Sequence, residues 1–222
     1  MSNMKPEIRF GEFADAWEKR KLGSITESFS GGTPSSGNSE YYGGSIPFIR
    51  SGEISLNITE LFVTEAGLNN SSAKMVKEGD ILYALYGATS GEVSISKING
   101  AINQAILAIR SINNDDHYLI AQWLRMQKKR IISTYLQGGQ GNLSGSIVKE
   151  LEITLPINKD EQKLISSLFY TLDNLITLHQ RKLDKMKNLK SAYLSKMFPK
   201  EGERYPRLRF AGFTDVWEQR KL

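Results

Sequence analysis

One run limits the possible folds more than any other: INKDEQKLISSLFYTLDNLITLHQRKLDKMKNLKSAYLSKMFP, residues 157–199. Asn158, followed by Glu161 three positions on, has the pattern of a helix capping box, and Pro199 closes the run. Between them Ile165, Leu168, Leu172, Leu175 and His179 step by three and four. Leu183, Met186, Lys190, Tyr193 and Met197 continue the seam with one four-residue shift. That spacing puts one apolar stripe on a single helix face, with Arg181, Lys182, Lys185 and Lys187 on the other. A helix of this length, at ~1.5 Å per residue, makes a rod of roughly 58 Å. A domain of this size does not need so long a rod for its own core. The expectation is a coiled-coil-forming helix, with coverage of the body's own sheet as the plainer alternative. His179 on the seam reads more simply as a packed histidine than as a metal ligand.

The second constraint is a repeat. EIRFGEFADAWEKRKL at 7–22 returns as RLRFAGFTDVWEQRKL at 207–222, so Arg9, Phe10, Phe13, Asp15, Trp17, Glu18, Arg20, Lys21 and Leu22 each recur at an offset of 200. Solenoid arrays have periods of 20–50 residues, far shorter than this. The reading is one complete copy of a long repeat followed by the start of a second.

Three segments follow: 1–157, the first repeat segment with a body; 158–199, the helix; and 200–222, the second repeat start. The body reads as mixed α/β with short strands at 45–54, 79–87, 91–96 and 101–111, rich in Ile, Leu and Tyr and punctuated by Gly. A helix is expected over 115–138, capped by Asp115 or Asp116 and stopped by Gly138. Residues 146–156 read as a helical turn entering a strand that Pro156 ends. The fold class is therefore α+β, a body of short strands and helices followed by one long helix.

Three polar, glycine-rich loops separate these elements: 30–40, 86–92 and 137–145. Each alone is as well explained as an ordinary turn. Together, glycine's close backbone approach and the mixed donors and acceptors of Ser, Thr, Gln and Asn suit base edges and phosphates. The candidate DNA-contacting residues are Ser30, Thr33, Ser35, Arg50, Tyr86, Thr89, Gln104, Lys128, Gln140 and Asn142.

Charge sharpens this. The chain carries a net +5, but residues 23–158 hold ten basic and twelve acidic side chains, whereas 159–200 hold nine and four. A nearly neutral body counts against bulk electrostatic binding of a polyanion. Any DNA binding must use local patches such as Lys128-Lys129-Arg130 and neutral hydrogen-bonding loops. With no cysteine and only two histidines, thiolate metal sites and disulfides are excluded and a nucleophile triad has little to draw on. No stretch has the apolar length of a membrane span, and a soluble protein of the cytoplasm is expected. The sequence contains no [DN]PP[YF] pocket, no FxGxG turn and no GxxxxGK[ST] loop. Asp160-Glu161-Gln162-Lys163 superficially matches the acidic-x-Lys of nucleases, but at a helix start its carboxylates serve the cap and the dipole.

The run Leu155-Pro156, Glu161-Gln162, Leu172-Asp173, Gln180-Arg181-Lys182-Leu183 and Lys196-Met197-Phe198-Pro199 resembles the central conserved region of type I restriction–modification specificity subunits. Arg9-Phe10, Phe13, Trp17-Glu18 and Lys21-Leu22 resemble the start of their repeats. Gly79-Asp80-Ile81-Leu82, Ala101-Ile102-Asn103-Gln104-Ala105 and Gln137-Gly138-Gly139 with Asn142-Leu143 resemble their target-recognition domain. The resemblance implies two such domains held apart by two antiparallel helices, each reading half of a bipartite DNA target. It also implies docking to methyltransferase and restriction subunits, which would carry S-adenosylmethionine and ATP with magnesium, and no catalysis by this subunit. Only one domain and one helix are present here. A homodimer pairing Ile165, Leu168, Leu172, Leu175, His179, Leu183 and Met186 of two copies, reading an interrupted palindrome, is the expectation. The second repeat start would then lie near the partner copy's body. The competing readings are an interaction module that binds a partner helix without reading DNA, and a divergent enzyme.

Overall fold

The computed structural model describes residues 6–135, 142–218 and 220. In chain order the elements are β1 (Trp17–Lys21), α1 (Leu22–Ile25), β2 (Thr26–Ser30), β3 (Tyr42–Ile49), β4 (Phe62–Val63), α2 (Glu65–Asn69), β5 (Lys74–Val76), β6 (Ile81–Ala84), β7 (Val93–Ile95), β8 (Gly100–Ile102), β9 (Ile106–Ser111), α3 (His117–Tyr135), α4 (Gly145–Glu150), β10 (Glu152–Pro156) and α5 (Lys159–Met197). The chain divides into two compact units, residues 1–167 and 168–222, so the first turns of the long helix belong with the body.

The first unit is built in layers. Strands β2-β9-β6-β7 form one antiparallel sheet, β4-β3-β8-β5 a mixed second sheet, and β1-β10 a separate antiparallel ribbon. Along β6 the side chains alternate faces. Ile81 and Tyr83 pack with Leu119, Ile120 and Leu124 of α3, whereas Leu82 and Ala84 pack with Ile49, Val76 and Ile102 of the second sheet. Burial on both faces explains why ILYA carries no charged residue. Tyr83 is fully enclosed, and burial pushes its phenol up to about 12.

Residues 101–111, expected as one strand, form two strands in different sheets. The Asn103 side chain accepts a hydrogen bond from the Ala105 amide at 3.1 Å, and this local turn outcompetes the ladder. The 45–54 strand ends at Ile49 and is followed by a 3-10 turn over 51–53. For α3, Asp116 is the cap, accepting from Leu119 N at 2.9 Å. Gly138, its expected stop, lies outside the described residues.

The start of α5 shows a larger departure. Asn158 caps it, accepting from Asp160 N and Glu161 N at 2.8 and 3.3 Å. Glu161, expected to complete the cap, instead takes a bidentate ion pair from Arg9 at 2.6 and 2.7 Å and accepts from the Trp17 indole at 3.3 Å. Beside it Asp115 is ringed by Arg20, Lys159 and Gln162. Burial alone would raise the Asp115 carboxyl, but these partners outweigh it and hold it below its ordinary value. Gln162 also donates to the Pro156 carbonyl and accepts from Asp116 N, both at 2.8 Å. The first repeat segment is thus fastened to β10 and to the first turn of α5.

In the second unit, among the described residues, the helix is covered only toward its C-terminal end. Leu168, Leu172, Leu175, Leu183 and Met186 are exposed, as are Leu164 at the end of the first unit and Phe169, Ile176, Leu178, Leu189 and Leu194, none of which the seam reading had included. At 3.6 residues per turn these positions widen the stripe to about half the circumference. His179 is exposed on it, and Ile165, within the first unit, packs against the body's core. Residues 206–217 fold against the end of the helix: Leu208 N donates to Lys196 O at 2.9 Å, and the Trp217 ring meets Phe198 edge-on at 5.7 Å.

Candidate nucleic-acid interface

Strand direction brings the candidate loops together. β2 ends at Ser30 opposite Leu107, close to the start of β9; β6 ends at Ala84 opposite Ile106; β7 begins at Val93 opposite Tyr83. In the second sheet β3 and β8 run parallel and end together at Ile49 and Ile102. The segments after Ser30, Ile49, Ala84 and Ile102 therefore emerge at one end of the body. Cross-loop bonds fix them there. Leu85 N donates to Ala105 O at 2.8 Å, and Leu143 N donates to Leu85 O at 3.0 Å. Gly31 lies flush on β8, where a β-carbon would sit 1.8 Å from the Ile102 carbonyl oxygen. No other residue fits there without moving the backbone.

Ser30, Thr33 and Ser35 are exposed along the first loop, and Tyr42 pins it by donating to Pro34 O at 2.6 Å. Tyr86 and Thr89 are half-buried in the second. That loop is braced by Ser90 Oγ, which donates to Leu85 O at 3.1 Å, and by Gly91 N, which donates to Ala84 O at 2.8 Å. Gln104 is exposed at the tip of the 103–105 turn and accepts from the Thr33 hydroxyl. Asn142 is exposed next to the anchored Leu143; Gln140 lies outside the described residues.

The two candidate cations are not free. Lys128 of α3 pairs with Glu92 of the second loop, and Arg50 is held by Glu53 at 2.6 Å and Glu60 at 2.8 Å. What this end of the body offers is mostly neutral donors and acceptors on braced backbone. Among the described residues there is no group of three or more His, Cys, Asp or Glu placed to hold a metal ion, and no helix is long and apolar enough to cross a membrane. Sequence reasoning missed the pairing of Thr33 with Gln104, which lie 71 residues apart. It also missed the role of Glu161, although the recurrence of Arg9 and Trp17 in the repeat was a signal that they bind something.

The Arg50 cluster has a consequence for stability. The Arg50 guanidinium holds the Glu53 carboxyl at about 2, below its ordinary 4.5. Burial opposes this, and bonds from Arg50 N, Thr59 and Glu60 N assist it. A depressed carboxylate stabilises the fold above its unfolded pKa, and that contribution is lost as pH falls through the folded one. Glu53→Gln is therefore expected to lower stability at neutral pH and to flatten the acid limb between pH 4.5 and about 2. Urea unfolding across that range measures both, and an unaltered limb would remove Glu53 from the account.

A family model described as the type I restriction modification DNA specificity domain matches residues 14–188. The chain is 30% identical to the type I restriction enzyme MjaIX specificity subunit of Methanocaldococcus jannaschii over 181 residues, covering 77% of this chain and 41% of that protein. It is 27% identical to the HindI specificity subunit of Haemophilus influenzae, over 78% of this chain and 39% of that one. Among solved structures, the HsdS subunit from Thermoanaerobacter tengcongensis superposes with a TM-score of 0.59 at 17% identity, over 87% of this chain and 47% of that one. A chain from a type I R-M system structure superposes at 0.63 and 19%, over 86% and 48%. The chain thus spans less than half the length of these relatives.

Proposed function

We propose that this chain, which belongs to the type I restriction modification DNA specificity family, is a noncatalytic DNA-reading and assembly subunit that selects where a methyltransferase acts. The observation that carries this reading is the convergence of the Gly31–Ser35, Leu85–Glu92 and Asn103–Ala105 segments at one end of the layered body. Neutral side chains on braced loops supply base-edge contacts with little bulk charge, which favours sequence reading over non-specific phosphate binding.

The helix supports the assembly role. A two-helix seam needs only a narrow stripe, whereas the apolar positions of this helix spread over about half its circumference, room for a second copy and for a helix of the methyltransferase subunit beside it. Charge favours an antiparallel pair of copies. Residues 159–178 carry two basic and three acidic side chains, and 179–197 carry six and one. Antiparallel pairing sets the basic half of one copy against the acidic half of the other, and parallel pairing would stack the basic halves. Twofold symmetry then places one reading domain at each end, so the target is an interrupted palindrome.

The test is adenine-methylation mapping on DNA incubated with S-adenosylmethionine, the methyltransferase subunit and this chain, together and separately. The expected result is a motif of two inverted halves that appears only with both proteins. Methyl transfer by the chain alone, a motif with unlike halves, or a site choice indifferent to the chain would each refute a stated part of this reading. The last outcome would favour a module that binds a partner helix without reading DNA.

A further inference from the structure

We infer that Gln104 reads the major-groove edge of an adenine and that Thr33 is the positioning residue that decides which way round its amide faces. This rests on the DNA-reading role proposed above. The Thr33 hydroxyl donates to Gln104 Oε1 at 2.7 Å. That bond turns the carbonyl oxygen toward Thr33 and leaves its second lone pair and both Nε2 hydrogens for a ligand. Adenine presents N7, an acceptor, beside the N6 amino donor, and a glutamine amide matches both at once in a single orientation.

Both partners stand on backbone that is already fixed. Asn103 Oδ1 accepts from Ala105 N at 3.1 Å, and Ile106 N closes the turn on Asn103 O at 3.3 Å. Gly32 N donates to Ile102 O at 3.2 Å, seating the Thr33 loop on the same strand end. Both side chains are exposed, so burial does not account for their bond. A free glutamine loses much rotamer freedom when it is ordered on a ligand, and the bond to Thr33 removes part of that cost before DNA arrives.

The test uses the full chain co-expressed with its methyltransferase subunit in a host without adenine methylation, with modified bases mapped across the genome. Gln104→Ala is expected to make one base pair per half-site degenerate, with discrimination falling about tenfold to a hundredfold at a position that is A·T for the unaltered chain. Thr33→Val, which keeps the shape and removes the hydroxyl, relaxes the same position by a smaller factor, and Thr33→Ser, which keeps the hydroxyl, restores it. Equal thermal unfolding of all three variants excludes a folding effect. A motif unchanged in Gln104→Ala, a relaxed position that is G·C, or a Thr33→Val effect at a different position overturns the pair while leaving the DNA-reading role intact. Absence of any motif from the unaltered chain overturns that role, and the pair with it.

Discussion

Replacing Glu161 with alanine is expected to destabilise the chain by about 1–3 kcal/mol, the range for leaving hydrogen-bonded groups without a buried partner. The Glu161 side chain is 0% exposed and the Arg9 side chain 12%. The loss has two parts: the bidentate pair with the Trp17 contact, and a guanidinium left without its carboxylate. Arg9 can escape the second part by turning its partly exposed side chain out to solvent or by letting residues 6–16 peel away from the body. Against a total stability of ~5–15 kcal/mol for a domain, either route is a large fraction. Denaturant unfolding gives the magnitude, and proteolysis confined to the first residues identifies the peeling route. The double variant Arg9→Ala with Glu161→Ala should cost much less than the sum of the two single changes. A cost below ~0.5 kcal/mol for Glu161→Ala, within the range of an ordinary surface substitution, would show that the N-terminal segment is held by something else.

The other large effect concerns the helix. Leu168, Leu172 and Leu175 are 48, 44 and 46% exposed in the single chain, so pairing removes about half of each side chain from water. Full burial of a leucine is worth ~1.5–3 kcal/mol, and half of that across six leucines in a dimer is roughly 6 kcal/mol, about four orders of magnitude in Kd. Changing all three to glutamine, which preserves helix propensity, is expected to yield a monomer by solution mass at micromolar concentration and to abolish site-specific methylation. The body should melt as before, because these side chains lie beyond the first unit and outside its core clusters. A dimer that survives the triple change, or an unaltered chain that is monomeric both alone and with the methyltransferase, would refute the helix-paired dimer.

Much of the architecture was legible because its signals are local. Asn158, Pro199 and three-four spacing define α5, and Asp116 with its helical run defines α3. Strands β6 and β7 sit between glycines, as the sequence suggested. The sequence offered no element over 17–30, where β1, α1 and β2 lie, nor over 55–78. There β4 and β5 are two and three residues long, and they become strands because β3 and β8 offer them edges. The candidate interface divides the same way. Loop composition marked Thr33 and Thr89, while Gln104 stood inside an expected strand; neither showed that strand directions would deliver them to one end, nor that carboxylates would neutralise Arg50 and Lys128.

The repeat separates the two kinds of information within one molecule. In both copies the chain makes the same turn, with Phe13 N donating to Phe10 O at 3.2 Å and Phe213 N to Phe210 O at 3.4 Å. A turn closes over four residues and needs nothing from elsewhere, so the sequence alone specifies it. The residues that follow behave differently. Trp17–Lys21 is a strand because β10 supplies a ladder, whereas the described counterparts Trp217, Glu218 and Arg220 lie in no strand. Arg9 reaches across 152 residues to Glu161, while Arg209 donates to the Asp215 carbonyl within its own segment. A strand's hydrogen bonds and a buried arginine's counter-charge must come from another part of a chain, and only the tertiary structure decides whether that part is there.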